Sequence, residues 1–302
     1  MNQRKKRSLI AVLVLVVALI VTGCASQVTY DGAKNIVEAK TVGEAMSNSE
    51  VVVVDARDTE SYERGHLEGA ICLPPSMVTI SEPVGGLLAS KEVFEQVMSD
   101  KGIANDDTVY IYDDKGGVYA SRLWWVMKLY GHEDVRVINQ GTRGLERLGL
   151  PMSAETPVIE KTSYTAKDAN TAMLASLDDV KAVANGESMA KLIDVRSRAE
   201  YDEGAIPGAK LYAHTENLYK DGSFKSGRTI ELNYKDLGFE KEDELILYCK
   251  SSFRATQTAA LLMEAGYTNV KVYDGAWLEW SNQGMPSAEK ETETVVTESD
   301  GS

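Results

Sequence analysis

The amino-acid sequence predicts an α/β protein with two similar domains, each a parallel sheet with helices on both faces. The first observation is that short, unbroken apolar runs, such as residues 51–54 and 245–248, alternate with longer helix-like stretches. Strands that are buried on both faces give unbroken apolar runs, and they occur in parallel sheets that helices cover. The second observation is that the chain repeats this pattern once, which predicts the same unit twice.

The repeat is anchored by an apolar run that ends in an Asp-x-Arg sequence. Asp55 and Arg57 follow the first such run, and Asp194 and Arg196 follow its counterpart in the second half. Three further pairs of segments keep the same order in both halves. They are residues 65–70 and 204–209, 109–113 and 245–249, and 131–137 and 266–272. The agreement in order makes the repeat the basis of the domain prediction.

The helix-like stretches complete each copy. Residues 124–130 and 259–265 each end near a glycine, which suits the left-handed turn that often ends a helix. The last segment is polar and acidic and has no core pattern, which is typical of disorder. The predicted segments are a first domain (37–153), a linker (154–175), a second domain (176–287) and a disordered tail (288–302).

The N-terminus has the pattern of an export signal. Basic residues 4–7 precede an unbroken apolar run at residues 9–21. Thirteen residues are too few for a membrane-spanning helix, which needs roughly 20, but suit a signal peptide. The run leads into Val21-Thr22-Gly23-Cys24, which resembles the lipobox of bacterial lipoproteins, whose cysteine carries the lipid, including palmitate. We predict a signal peptide at residues 1–23 and a protein anchored to the extracytoplasmic side of the membrane. The alternative is an uncleaved signal anchor.

Charge and composition exclude several classes of function. The net charge of -14 argues against a nucleic-acid surface, because phosphate binding needs clustered Lys and Arg. The three histidines, His66, His132 and His214, are scattered without the spacing of metal ligands. A nucleotide-binding glycine loop is also missing from the sequence. We therefore expect neither a metal nor a cofactor.

The cysteines direct attention to one segment. Cys72 lies at the end of an apolar segment and is interpreted as a packed thiol. Cys249 directly follows the run at residues 245–248, and Arg254 opens an Ala-rich, helix-like stretch. Backbone N–H groups converge between a strand end and a helix N-terminus, where the helix dipole is positive. Such a place favours the thiolate, which is the nucleophilic form of cysteine.

Together these motifs resemble the tandem rhodaneses, two-domain sulfurtransferases of the thiosulfate and 3-mercaptopyruvate type. The resemblance covers residues 37–287. The motifs that carry it are Asp194-Val195-Arg196 with Glu200-Tyr201, the segment 204–209, the loop from Cys249 to Arg254, and Asp274-Gly275-Ala276-Trp277. It implies two rhodanese-like domains, of which the second is catalytic. The first has Asp113 in place of Cys249, and we expect this aspartate in a solvated turn or pocket wall of an inactive domain.

Loop length separates two chemistries in enzymes of this kind. The resemblance implies six residues for sulfur transfer, whereas related phosphatases and arsenate reductases use seven to enclose a tetrahedral oxyanion. Counting from Cys249 through Arg254 gives six. The count favours sulfur transfer over a phosphatase-like reaction.

The resemblance also implies roles for the loop residues. Cys249 would take a sulfane sulfur from an anionic donor as a persulfide and pass it to a thiol or to cyanide. Arg254 and Lys250 would hold the oxyanion end of the donor, while N–H groups of Ser251, Ser252 and Phe253 stabilise the persulfide. Asp194 and Arg196 would fix the loop that follows their strand.

One departure concerns the donor. The known thiosulfate and mercaptopyruvate enzymes have an arginine directly before the aromatic residue that is Tyr201 here. This chain has Glu200 at that position and Arg198 two residues earlier, so Arg198 is included among the substrate-binding candidates. Thiosulfate is the favoured donor. The alternatives are 3-mercaptopyruvate as the donor and a non-catalytic, lipid-anchored binding module.

Overall fold

A computed structural model describes residues 30, 32–48 and 50–288 of the chain. The predicted signal peptide, the predicted lipidation site at Cys24 and all but the first residue of the predicted tail lie outside this range. Within it, no helix combines the length and the apolar character that crossing a membrane requires.

The first domain is built around a five-stranded parallel sheet with the order β1-β8-β7-β2-β4. Its nine strands include two short antiparallel pairs, β3 with β9 and β5 with β6. The strands are β1 (Ile36–Val37), β2 (Val51–Asp55), β3 (His66–Leu67), β4 (Ile71–Cys72), β5 (Thr79–Ile80), β6 (Leu87–Leu88), β7 (Thr108–Tyr112), β8 (Val135–Ile138) and β9 (Met152–Ser153). The helices are α1 (Ala39–Ala45), α2 (Thr59–Arg64), α3 (Lys91–Asp100), α4 (Val118–Leu129) and α5 (Gly141–Arg147).

The second domain repeats this arrangement, with the parallel order β10-β14-β13-β11-β12. Its first strand lies at the end of the segment predicted as the linker. The strands are β10 (Leu174–Ala175), β11 (Lys191–Asp194), β12 (Lys210–Leu211), β13 (Leu245–Tyr248) and β14 (Val270–Tyr273). The helices are α6 (Leu177–Ala184), α7 (Arg198–Glu203), α8 (Gly227–Asp236), α9 (Phe253–Glu264) and α10 (Ala276–Asn282). The predicted α/β fold with two parallel sheets flanked by helices is confirmed.

The two sheets share one hydrophobic core. Alternate residues of a strand point to opposite faces, so Val54 and Ile193 face the shared core while Val53 and Leu192 face separate outer clusters. Helices α4 and α9 pack against each other in the middle of this core. The domains are therefore joined by a continuous apolar interface, and the N-termini of α4 and α9 lie at the ends of the loops that follow β7 and β13.

Strand register shows which loops correspond. Asp55 pairs with Tyr112 in the first sheet, and Asp194 pairs with Tyr248 in the second. The next residues along β7 and β13 are Asp113 and Cys249. The two residues thus occupy the same place in the two copies of the fold, as the repeat predicted.

Candidate active site

Cys249 follows β13 directly and its side chain is buried, with 1% of the residue exposed. The backbone around it is fixed by the first turn of α10. The N–H of Trp277 donates to the Cys249 carbonyl at 2.9 Å, and the N–H of Leu278 donates to the Lys250 carbonyl at 3.2 Å. The first two carbonyl groups of the loop therefore point toward α10.

The loop ends at Ser252, which has a left-handed backbone with φ of 64°. Non-glycine residues seldom adopt this conformation, which is found mainly in tight turns and at functional sites. Helix α9 begins at the next residue, Phe253, one position before the predicted Arg254. The Ser252 hydroxyl lies 2.7 Å from the Ser251 carbonyl oxygen and 2.9 Å from Asp274 Oδ1, and these two acceptors share its one proton. The turn thus places Cys249 in front of the N-terminus of α9, where backbone N–H groups are directed at an anion.

Arg254 is bound by Glu200, the residue at which this chain departs from the family pattern. Its Nη1 and Nη2 atoms each donate to one carboxylate oxygen of Glu200 at 2.7 Å. The guanidinium lowers the pKa of Glu200 to about 2. The pKa of Arg254 is raised, first by the hydrogen bond to Glu200 and also by the neighbouring Cys249 side chain. Arg254 is therefore a permanent cation close to the thiol, and Glu200 orients it.

The position of Glu200 has a local signal that the sequence analysis missed. Ser197 and Glu200 form a capping box at the start of α7, in which the Ser197 hydroxyl accepts from the Glu200 N–H and Glu200 accepts from the Ser197 N–H. A Ser-x-x-Glu sequence at the start of a helix predicts this arrangement. The capping box holds the Glu200 carboxylate at the first turn of α7, where the carboxylate also accepts the two hydrogen bonds from Arg254.

Other predicted residues are distributed around the loop. Asp194 binds the Arg196 guanidinium through both carboxylate oxygens, and Arg196 also donates to the Gly204 carbonyl at 2.6 Å. These bonds close the turn after β11. Lys250 is exposed and Ser251 is partly exposed. Arg198 pairs with Asp202 on its own helix at 3.3 Å and its side chain is 72% exposed, so its contacts lie apart from the loop.

The first domain holds a carboxylate at the corresponding position. Asp113 is 1% exposed, and its carbonyl accepts from Thr142 N–H at 3.0 Å, much as that of Cys249 accepts from α10. Its carboxylate oxygens accept four backbone N–H bonds of 2.7–2.9 Å, and the donors are Lys115, Gly117, Tyr119 and Ala120. Burial raises the pKa of Asp113, while the N–H bonds oppose that shift.

The expectation of a solvated turn was therefore wrong for Asp113. The carboxylate is buried because the N–H groups at the start of α4 replace the water that it would otherwise need. Both oxygens act only as acceptors, which matches the ionised form. This position of the fold holds an anion.

A cleft of about 450 Å³ lies between the domains beside the Cys249 loop. Ser251 and Phe253 contribute its second-domain wall, and Tyr119 and the segment from Thr79 to Gly86 contribute its first-domain wall. A ligand in this cleft would contact both domains.

Comparison with known proteins gives a consistent result. A family model described as "Rhodanese-like domain" matches residues 38–147 and 176–283. A protein of Mycolicibacterium smegmatis named "Putative thiosulfate sulfurtransferase" is 34% identical over 242 residues, which cover 74% of this chain and 86% of that protein. The "Sulfur carrier protein TtuD" of Thermus thermophilus is 32% identical over 283 residues, or 87% and 99% of the two chains.

A solved structure is similar over almost its whole length. SseA from Escherichia coli, described as a 3-mercaptopyruvate sulfotransferase with the "Rhodanese" fold, aligns with a TM-score of 0.72 and 25% identity. The alignment covers 83% of this chain and 99% of SseA. At this coverage the similarity extends through both domains.

Proposed function

This chain belongs to the rhodanese-like family of sulfurtransferases, and we propose that it moves a sulfane sulfur through a persulfide on Cys249. The sulfur comes from an anionic donor, with thiosulfate favoured, and goes to a thiophilic acceptor such as a thiol or cyanide. The observation that carries the proposal is the equivalence of Cys249 and Asp113. Where one copy of the fold holds a buried carboxylate on four N–H groups, the other presents a thiol.

The equivalence of Cys249 and the buried carboxylate of Asp113 supports a negatively charged sulfur at Cys249. The thiolate and the persulfide are both anions, and a helix N-terminus stabilises either one. Arg254 adds a fixed positive charge beside the sulfur. The loop therefore suits both the nucleophile and the covalent intermediate.

The reaction balances without an external oxidant or reductant. The Cys249 thiolate attacks the outer sulfur of thiosulfate, a new S–S bond forms, and the old S–S bond breaks to release sulfite with its electron pair. In the second half, cyanide attacks the outer sulfur of the persulfide. The C–S bond of thiocyanate forms, the S–S bond breaks, and the thiolate of Cys249 returns.

Two observations bear on the donor. Lys250 is an exposed cation at the loop, where it is suited to the sulfonate end of thiosulfate. Arg254 is already engaged by Glu200, which reduces the positive charge that a donor with two negative charges meets. The name of the mycobacterial relative favours thiosulfate, whereas the description of SseA keeps 3-mercaptopyruvate as the second candidate.

The test is cyanide-dependent formation of thiocyanate, with both donors offered to the wild type and to Cys249→Ser. Cys72→Ser is the matched control, because Cys72 is the second reduced cysteine of the described residues and lies in the first domain. We expect activity in the wild type and in the Cys72 variant only. Equal background rates in all three proteins would favour the alternative of a non-catalytic, lipid-anchored binding module.

We also propose that the chain is a lipoprotein on the extracytoplasmic side of the membrane, with the lipid on Cys24. The sequence pattern before Cys24 supports this localisation. In membrane fractions of cells that express the chain, Cys24→Ala should move the protein to the soluble fraction. Unchanged retention in the membrane would contradict lipidation.

A further inference from the structure

We propose that Arg122 of the first domain is a positioning residue for sulfur transfer and sets the shape of the Cys249 loop. The proposal rests on the proposed function, because it concerns the same loop. It also gives the domain without a cysteine a direct part in the reaction.

Arg122 lies on α4 and is fully buried, with 0% of the residue exposed. Its Nη1 donates to Asp274 Oδ1 at 2.8 Å, and its Nη2 donates to the Gly86 carbonyl at 2.7 Å. Its guanidinium also lies over the ring of Phe253 at 5.3 Å. Burial of a charged pair often contributes little to stability compared with apolar residues of the same size. The pair therefore invites an explanation other than stability.

Asp274 connects Arg122 to the loop from two sides. Its Oδ1 accepts from the Ser252 hydroxyl at 2.9 Å, and Ser252 is the left-handed residue that ends the loop. Three residues after Asp274, Trp277 donates its N–H to the carbonyl of Cys249. A shift of Asp274 would thus be transmitted to both ends of the loop.

The first domain also touches the loop through backbone. A methyl group on Gly86 would lie 3.1 Å from the Ser251 carbonyl oxygen and 3.2 Å from the Phe253 ring. The N–H of Leu88, on the same hairpin, donates to Asp274 Oδ2 at 2.8 Å. The β5–β6 hairpin and Arg122 therefore hold the loop together.

In the other half of the repeat, uncharged side chains connect the domains at the positions that correspond to Arg122 and Asp274. There the helix residue belongs to the second domain and the residue after the strand belongs to the first. Asn139 follows β8 as Asp274 follows β14, and its Oδ1 accepts from the Phe224 N–H of the second domain at 2.9 Å. Gln257 has the position on α9 that Arg122 has on α4, and it donates to the Gly116 carbonyl at 2.6 Å. On the side of Asp113 the corresponding buried positions hold amides, and the ion pair that joins the domains there, Arg147 with Asp221 at 3.9 Å, is exposed. Among the described residues, the buried ion pair between the domains is that of Arg122 and Asp274 beside the Cys249 loop.

The experiment compares Arg122→Gln, which copies the amide found at the corresponding position of α9, with Asn139→Ala, which removes an interdomain hydrogen bond on the side of Asp113. Three quantities are measured for each variant: kcat and KM for thiosulfate and cyanide, the rate of Cys249 alkylation by iodoacetamide at one pH, and the unfolding temperature. Alkylation is followed on the Cys249 peptide by mass spectrometry, so Cys72 does not interfere.

We expect Arg122→Gln to lower kcat and the alkylation rate by roughly tenfold or more, because small displacements of a reacting group have large effects on rate. KM should change little, and Asn139→Ala should leave both rates unchanged. If the rates of both variants fall only in proportion to lost folded protein, Arg122 is structural and the proposal is overturned. Full activity of a folded Arg122→Gln protein would overturn it as well.

Ser252→Ala provides an arm that does not depend on folding of the Arg122 variants. It removes the hydroxyl that binds Asp274 Oδ1, and it should lower the alkylation rate of Cys249 as Arg122→Gln does. In the double variant, the two effects should be less than additive, since both residues act through Asp274. Additive effects, or an unchanged Ser252→Ala protein, would overturn the proposal. A wild type that forms no thiocyanate would refute the proposed function. The alkylation rates would still test the positioning role of Arg122, because alkylation needs no sulfur donor.

Discussion

The loops after β7 and β13 occupy the same place in two copies of one fold, but one begins with a carboxylate and the other with a thiol. In the first domain Asp113 fills the site with a carboxylate on four N–H groups. In the second, Cys249 offers a sulfur atom beside Arg254. The loop of the first domain is therefore an anion site, and the corresponding loop of the second domain holds the thiol that we propose to react. A carboxylate keeps the loop folded, whereas a thiolate can also bond to sulfur.

The largest effect is expected from Cys249→Asp, which gives the second loop the same residue that the first loop has at Asp113. The carboxylate should find an anion site, so the variant should stay folded, with an unfolding temperature within a few degrees of the wild type. Thiocyanate formation should disappear, because a carboxylate cannot hold a persulfide. Circular dichroism during heating and the cyanide assay measure the two quantities. A protein that no longer folds would show that the second loop differs from the first as an anion site.

Removal of the first-domain carboxylate by Asp113→Ala should lower the stability of the protein. It leaves four N–H groups, two of them buried and two partly buried, without their acceptor, and we expect the free energy of unfolding to fall by about 3 kcal/mol or more. Asp114→Ala, at the next and partly exposed residue, is the matched control and should change it by less than about 0.5 kcal/mol. Urea unfolding gives both values. A loss below about 1 kcal/mol for Asp113→Ala would mean that the carboxylate does not hold the loop.

A smaller effect is expected from Glu200→Gln, which removes a partner present only beside the reactive loop. The folded-state pKa of Glu200 is lowered from 4.5 to about 2, so its stabilising effect is complete above pH 4.5 and is lost as the pH falls through about 2. Because the pair is partly exposed, we expect the variant to lose about 1–2 kcal/mol at pH 7. The difference from the wild type should shrink below pH 4.5.

Urea unfolding at a series of pH values measures that difference. The same substitution leaves Arg254 without its carboxylate partner and should lower KM for thiosulfate. A difference in stability that is constant from pH 7 to pH 3, or a raised KM, would contradict the role given to Glu200.

The smallest effect is expected from Arg198→Ala. Its guanidinium is 72% exposed and pairs with Asp202, so we expect less than a twofold change in KM for thiosulfate. Lys250→Ala is the comparison, because Lys250 belongs to the loop, and it should raise KM more. A tenfold rise in KM for Arg198→Ala would restore the substrate-binding role that the sequence analysis gave to Arg198.

The sequence was sufficient for the features that repeat along the chain. The apolar run before Cys249 predicted β13, and its match to the run before Asp113 predicted that the two residues are equivalent. The environment of Asp113 was not predictable, because its four partners are backbone N–H groups that every sequence contains. A polar side chain in a loop then suggested solvent, and the buried site became visible only in the structure.

Contacts across the fold were equally invisible. Arg122 and Asp274 are separated by 152 positions, and neither lies in a pattern that predicts an ion pair. Glu200 and Arg254 are 54 positions apart, although the capping box of Ser197 gives Glu200 a local reason for its position. The fold, the family and the place of the loop after β13 could be predicted from the sequence, whereas the residues that hold the loop in place could not.

The central claim is that the second loop carries sulfur where the first holds a carboxylate. The most direct test is mass spectrometry of the intact chain and of its Cys249 peptide after exposure to thiosulfate, without an acceptor. We predict a gain of one sulfur atom on Cys249, its removal by cyanide with release of thiocyanate, and no gain in Cys249→Asp. No added sulfur on Cys249 with either thiosulfate or 3-mercaptopyruvate, or sulfur found on Cys72 instead, would contradict the account.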